Sequence, residues 1–281
     1  MPPAPARTLL RVLILLPPSE GKADTGTGRR LDLSRLSLPE LTPARAEVLT
    51  ALMAFSAAAG RADGSDGAGD AALAALGLTV GQRGELARNA RLDRAATAPA
   101  GQVYTGVLYE ALGLATLPPG ALRAARRSVL VSSGLWGAVR LTDRIPPYRC
   151  PIGARLPGVG ALSAYWRGVL SPVLTAAAGG GPVLDLRSAA YAATWTPPAE
   201  LAGRTVTVRV LHERRPGERT VVSHFNKATK GRLVRDLLLA GARPRTATAL
   251  VGALRDLKYP VEEQPVTAGR PRRVDVVVTD L

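Results

Sequence analysis

Lys22, Lys227, Lys230 and Lys258 are the only lysines in 281 residues; every other basic position is arginine. A sequence that writes arginine wherever any cation serves keeps lysine where a compact ammonium is wanted. Such an ammonium is either a point charge for phosphate or an amine able to give up its proton. Three of the four fall in two stretches. Pro17-Pro18-Ser19-Glu20-Gly21-Lys22 follows an apolar run, and Lys227, Lys230, Arg232 and Arg235 follow Phe225-Asn226 with no acid before Asp236. A deprotonated lysine can attack a sugar C1′ with a carboxylic acid assisting, which makes Lys22, Lys227, Lys230, Glu20 and Asp143 candidate catalytic residues. Kept protonated, the same lysines hold phosphate. Ser19, Lys22, Arg140, Arg149, Lys227, Lys230, Arg232 and Arg235 then form an anion-binding set. Trp136 and Tyr148 would be its platforms for stacked bases. Each has a plain alternative: a solvated basic helix face, a surface turn, or packed core aromatics.

These side chains need elements to place them, and hydrophobic periodicity lays those out. Residues 9–16 read as a buried strand closed by Pro17-Pro18, so Lys22 lies in the loop at a strand end, a usual place for ligand contact. The loop lacks the two-glycine spacing of a phosphate-binding P-loop. Residues 127–133 and 183–186 read as further buried strands. Residues 205–212 and 219–225 flank a Pro-Gly turn as an antiparallel hairpin. A helix over 227–240 follows, then a shorter one over 246–254, and 274–278 closes the sheet. Residues 41–59 form a helix opened by Thr42-Pro43, and 162–178 an amphipathic one. Residues 70–76 and 82–92, with Arg83, Arg88, Arg91 and Arg94, make a helix-hairpin-helix-like element of the kind that grips a nucleic-acid backbone through hairpin amides. Residues 61–69 read as a flexible loop. The expected architecture is a mixed α/β (α+β) fold, with a central mixed sheet and surrounding helices. Residues 1–8 are a disordered leader and 9–281 a single domain.

Composition narrows the partner classes. With 46% apolar residues the chain is not a disordered one, and 37 Lys+Arg against 22 Asp+Glu give +15. A field of that sign concentrates polyanions, so nucleic acid, here DNA, is the first partner class to consider and an anionic membrane surface the second; a nucleotide or nucleobase is the partner if the chain is an enzyme. The 9–16 run is far shorter than the about 20 residues that span a bilayer, so no membrane partner is expected. Cys150 stands alone, which excludes an internal disulfide and points to a reducing compartment, the cytoplasm. His212 and His224 with one cysteine do not make a zinc cage; no metal and no cofactor is expected.

The ordered motifs resemble the YaaA family of bacterial peroxide-stress proteins. They are Leu-Leu-Pro-Pro-Ser-Glu-Gly-Lys (15–22), Val-Tyr-Thr-Gly (103–106) and Ser-Gly-Leu-Trp-Gly-Ala-Val-Arg (133–140), then Asp143 with Pro147-Tyr148-Arg149. Tyr165-Trp166, Leu-Asp-Leu-Arg-Ser (184–188) with Tyr191, Phe225-Asn226-Lys227 and Lys230-Gly231-Arg232 continue the series. The resemblance implies a mixed α/β fold with a helix-hairpin-helix-like element and a basic cleft. It also implies binding of duplex or distorted DNA and a part in limiting oxidative damage and free iron. The chain departs from the family's common pattern at Trp136, at Asp185 and Arg187, and at Cys150-Pro151. Two functions follow: a DNA-binding stress protein with little sequence preference, which the charge favours, or an enzyme with a lysine nucleophile acting on a nucleobase, nucleoside or nucleotide.

Overall fold

Leu13–Leu16 (β1) is buried along its whole length and lies inside an eight-stranded sheet. Leu-Ile-Leu-Leu has no polar face, as a strand covered on both sides requires. The computed structural model describes residues 12–24, 28–61, 68–215, 217–221 and 223–279. The 1–8 leader, residues 9–11 of the expected first strand and most of the 61–69 loop lie outside the described residues. The sheet is completed by Val129–Ser133 (β2), Gly137–Arg140 (β3), Val183–Asp185 (β4), Thr205–Arg215 (β5), Glu218–Thr220 (β6), Val261–Glu263 (β7) and Arg272–Val278 (β8). Its order is β7-β8-β5-β4-β1-β2-β3, with β6 paired to β5. Strands β8, β5, β4, β1 and β2 run parallel, and β3, β6 and β7 are antiparallel additions. The fold is mixed α/β, a central mixed sheet surrounded by helices.

The helices that matter for the site are Thr42–Arg61 (α1), Ala68–Ala75 (α2), Gly84–Asn89 (α3), Val107–Leu112 (α4), Pro119–Ser128 (α5), Leu162–Ala178 (α6), Ser223–Leu239 (α7) and Ala247–Asp256 (α8). Among the described residues no helix is long and apolar enough to cross a membrane. Helix α6 has the bounds its periodicity predicts. Helix α7 does not: it begins at Ser223, inside the stretch expected as the second hairpin strand. Strand β6 is exposed throughout and buries no face, so pairing ends at Thr220. Phe225 instead joins the helix and stacks on His212, ring centroids 6.2 Å apart. Strand β8 does not close the sheet either, because β7 pairs outside it. The sequence pattern misses β7, since its Glu262 and Glu263 serve as ion-pair partners for Arg219, Arg255 and Arg272 rather than as an apolar face.

The α2–α3 pair packs on α1, and most of the amides of its hairpin already have acceptors. The N–H groups of Gly77, Leu78, Gln82 and Arg83 bond within the turn, and that of Thr79 bonds the Gln82 side chain. Arg83 and Arg88 pair with Asp70 and Glu85 of the same element.

Helix α7 approaches α4 so closely that a Cβ at Gly231 would lie 2.2 Å from the Leu108 carbonyl oxygen and 2.9 Å from Ala111 Cβ. Gly231→Ala is therefore expected to push the two helices apart at a cost of roughly 2 kcal/mol or more. The check is the midpoint of denaturant unfolding, and an unchanged midpoint would show that the helices move apart freely.

Candidate functional site

Chain connections leave β1 towards β2 and leave β4 towards β5, so the loops after the neighbouring strands β1 and β4 diverge. An open parallel sheet has its crevice at such a point, outside the carboxyl ends of the strands. The loop after β1 carries Lys22. The Ser19 hydroxyl donates to the Gly21 carbonyl (2.5 Å) and accepts the Thr105 N–H (3.1 Å). The Ala23 N–H donates to the Val103 carbonyl (2.9 Å), and Lys22 bridges Tyr104 in antiparallel fashion. The motifs at 15–22 and 103–106 are thus one structural unit.

Lys22 is half-buried, with its ammonium 4.4 Å from the centroid of the Tyr148 ring and 5.7 Å from that of Tyr104. It donates to the carbonyls of Ser19 (3.0 Å) and Glu20 (3.5 Å). Among the described residues no carboxylate stands within ion-pair distance of it. Burial, and then the neighbouring Arg149 guanidinium, bring its pKa from 10.5 down to about 7; Cys150, Glu85 and Glu20 oppose the shift. The aromatic face also favours the charged form, and desolvation prevails over it. Arg149 is fixed on both sides. Its N–H donates to Asn89 Oδ1 (3.0 Å), Asn89 Nδ2 donates back to its carbonyl (2.7 Å), and its guanidinium reaches the Glu20 carbonyl. Cys150 is buried, and burial raises its thiol to about 12, so it is no nucleophile at neutral pH.

Behind Lys22 lies a file of hydroxyls. The Leu135 and Trp136 N–H groups donate to Ser133 Oγ (3.1 and 2.9 Å). Ser133 Oγ is 2.6 Å from the Tyr148 hydroxyl, which is 2.9 Å from the Tyr104 hydroxyl. Gly134 makes this turn possible: a Cβ there would lie 2.3 Å from the Cys150 carbonyl oxygen. The Tyr109 ring stacks on Tyr104 at 5.5 Å, and its hydroxyl donates to the Pro17 carbonyl (2.7 Å). Burial raises the Tyr104 phenol to about 12 and pushes those of Tyr109, Tyr148 and Tyr191 well up from their ordinary value too.

The structure places Lys22 and Lys230 at the same end of the sheet. Lys230, buried on α7, donates to the carbonyl of Leu186 (3.2 Å), the residue after β4. Burial lowers its pKa as well, with Asp185 opposing. Lys227, one turn earlier, and Arg232 are exposed, and Arg232 donates to Thr229 Oγ1 (3.3 Å). Arg235 is not a free cation, because it donates to the carbonyls of Leu112 (3.0 Å) and Gly113 (2.9 Å) and caps α4. Arg140 is at the opposite end of the sheet from Lys22. Strand β3 runs antiparallel, so its last residue returns to the level of Leu130 near the start of β2. Asp143 is buried and already bonded, accepting from Ser37 N–H (3.0 Å), Ser37 Oγ (2.7 Å) and Arg140 N–H (2.9 Å), which makes it a pin for the loop. Trp136 and Tyr148 are fully enclosed and packed edge to face, so neither has a ring surface free to stack on a base. The Glu20 side chain is exposed; only its carbonyl joins the site.

Sequence reasoning also passes over a basic concavity elsewhere. Arg29, Arg30, Arg35 and Arg144 line a cleft of about 600 Å³ beside Thr97 and Thr142. Its one carboxylate among the described residues, Asp32, accepts from the Ser34 hydroxyl (2.6 Å) and N–H (3.0 Å), bonds that hold it below the usual range. The Arg29-Arg30 pair is visible in the sequence, but nothing local says that Arg144 joins it. Among the described residues no three His, Cys, Asp or Glu side chains gather as metal ligands.

Comparison with known proteins gives a consistent answer. A UPF0246 protein of Streptomyces coelicolor is 56% identical over 271 residues, which is 96% of this chain and 100% of that one. Another from Corynebacterium efficiens is 38% identical over 269 residues, 95% of this chain and 100% of its own. One from a Ruegeria species is 33% identical over 147 residues, 50% of this chain and 58% of its own. A family profile described as peroxide stress protein YaaA matches residues 12–264. With the motifs at 15–22 and 103–106 joined around Lys22, and relatives aligned over nearly the full length, the chain belongs to the peroxide stress protein YaaA family.

Proposed function

We propose that the chain is an enzyme acting on a nucleobase, nucleoside or nucleotide, free or within DNA, with Lys22 as its amine nucleophile. The observation that carries this reading is the setting of that ammonium. It is withdrawn from water beside a guanidinium, has carbonyls rather than a carboxylate as acceptors, and loses its proton near pH 7. A lysine that holds phosphate needs a charge kept at every working pH. Lys230 serves in support, tying α7 to the end of β4. The substrate class rests on charge: +15 overall, with the exposed Lys227 and Arg232 on α7.

Cyanoborohydride trapping tests the reading. Abasic DNA, nucleosides and nucleotides are offered to the protein from about pH 5 to about pH 9. The expected adduct maps to Lys22, and its yield climbs through about 7. The sign follows from the shift: a lysine with a lowered pKa is ammonium below that value and free amine above it. If no adduct formed with any of these substrates across the range, the nucleophile would have to be abandoned.

The arginine-lined cleft specifically favours a second reading, a protein that holds a nucleic-acid backbone without reading its sequence. Four phosphate contacts would make affinity fall roughly a hundredfold for a fourfold rise in salt. A salt-independent affinity, or none at low salt, counts against it.

A further inference from the structure

Arg83, Arg88, Arg187, Arg209, Arg219 and Arg255 each pair with a carboxylate. The arginines of the cleft beside Thr97 do not. Arg29, Arg30, Arg35 and Arg144 are exposed along it, and among the described residues none has a carboxylate within ion-pair distance. Asp32 is the one acid among the described residues that line the cleft, which leaves its wall at a net +3, and Asp32 already accepts from Ser34. Backbone bonds fix that wall. The Thr97 N–H and hydroxyl donate to the Arg29 carbonyl (3.0 and 2.7 Å), and the Arg144 guanidinium donates to the Thr97 carbonyl (2.5 Å). Ala98 and Pro99 pair with Ile145 and Arg144 in antiparallel register, and Arg30 bridges Ala96. Gly28 lets these segments close up, because a Cβ there would lie 2.2 Å from the Thr97 carbonyl oxygen. Four like charges are thus held round one concavity, where they repel one another. An anion in the cleft would offset that repulsion, and guanidinia suit phosphate through their paired N–H donors.

We propose that this cleft binds a free polyphosphate of two or three phosphates, either inorganic or the phosphate chain of a nucleotide, at a site separate from Lys22. Lys22 and the rings around its ammonium, Tyr104 and Tyr148, do not line the cleft, so neither the lysine nor its reaction enters this site. The ligand also differs from a nucleic-acid backbone. A strand spaces single charges along its length, whereas a concavity of about 600 Å³ has the size that takes one small ligand. The terminal group of a polyphosphate alone carries about −2 near neutral pH. Its neighbours add their charges within the same small volume, which matches a wall at +3.

The test is calorimetric titration of the full chain at low salt with inorganic tripolyphosphate, orthophosphate and an unphosphorylated single-stranded oligonucleotide. One tripolyphosphate is expected to bind per chain, with orthophosphate weaker by at least about tenfold. Arg30→Ala and Arg35→Ala should each weaken tripolyphosphate by about tenfold, and Lys22→Met should leave its affinity in place. Both arginines are exposed, so the variants should fold, and the midpoint of thermal unfolding checks that they do. A nucleoside triphosphate that displaces tripolyphosphate one for one identifies a nucleotide as the source of the chain; failure to displace it leaves the inorganic chain as the ligand. No tripolyphosphate binding to the wild type, unchanged binding in both folded arginine variants, or loss of binding in Lys22→Met overturns the site. Oligonucleotide binding that needs Arg30 and Arg35 but is not displaced by tripolyphosphate also overturns it, and leaves the backbone-holding reading standing. Tripolyphosphate binding with none of the oligonucleotide removes that reading and keeps this one.

Discussion

Lys22→Met is expected to lower turnover by at least about a thousandfold, because it removes the atom that forms the bond. At pH 7 about half of the Lys22 side chain is free amine, against roughly one part in three thousand for a lysine at its ordinary value. No other described lysine combines that state with access. Lys230 is desolvated but buried and bonded to Leu186, whereas Lys227 is exposed. Lys22→Arg sharpens the measurement, since it retains a cation over Tyr148 but never offers a free amine. Loss in both variants identifies a nucleophile. Retention in Lys22→Arg with loss in Lys22→Met would instead mean that a positive charge was all the site required. The assay is single-turnover imine formation, with the midpoint of thermal unfolding as the control for folding.

Asp185→Ala is expected to give the largest loss of stability of any single change described for this site, about 3–5 kcal/mol. Arg187 donates to Asp185 through Nε (2.9 Å) and a terminal nitrogen (2.7 Å), with both side chains buried. The same guanidinium holds the carbonyls of Tyr191 (3.1 Å) and Trp195 (2.8 Å) and lies 5.4 Å from the centroid of the Trp195 ring. Without the carboxylate, Arg187 is a buried cation lacking its counter-charge, and Lys230 loses the one group that favours its charged form. The midpoint of thermal unfolding should fall by roughly 10 °C. Asp185→Asn keeps two acceptor or donor positions in place and should lose clearly less. Equal losses for the two substitutions would show that shape rather than charge holds the loop after β4.

Much of the scaffold is legible from sequence because local pattern answers a local question, namely which face of a segment is buried. Leu13–Leu16, Val129–Ser133 and Val183–Asp185 are short runs with no polar face, and a segment of that kind has little choice but the middle of a covered sheet. The 3.6-residue repeat of Leu162–Ala178 likewise locates a helix to the residue. Lys22 stands out on the same basis, as a retained lysine just beyond a buried strand. Where the pattern is ambiguous it misleads: the alternation before Phe225 has the spacing of a strand, but the packing of α7 on α4 and β5 makes it the first turn of a helix.

Residue types alone mark Trp136, Tyr148, Arg140 and Asp143 as ligand contacts; the chain's long-range contacts assign them other work. Trp136 and Tyr148 line the interior, Arg140 sits at the far end because β3 runs back, and Asp143 pins the Ser37 backbone. The groups that define the site come from remote parts of the chain. Tyr104 and Tyr148 are 44 residues apart, Ser19 and Thr105 are 86 apart, and Arg149 and Glu20 are 129 apart. Sequence determined that an apolar strand would end in a loop bearing a lysine on a strongly basic chain. Only tertiary structure decided that the lysine would be desolvated between aromatic faces and next to an arginine. A side chain's pKa depends on which distant groups pack around it, and no local repeat encodes that packing.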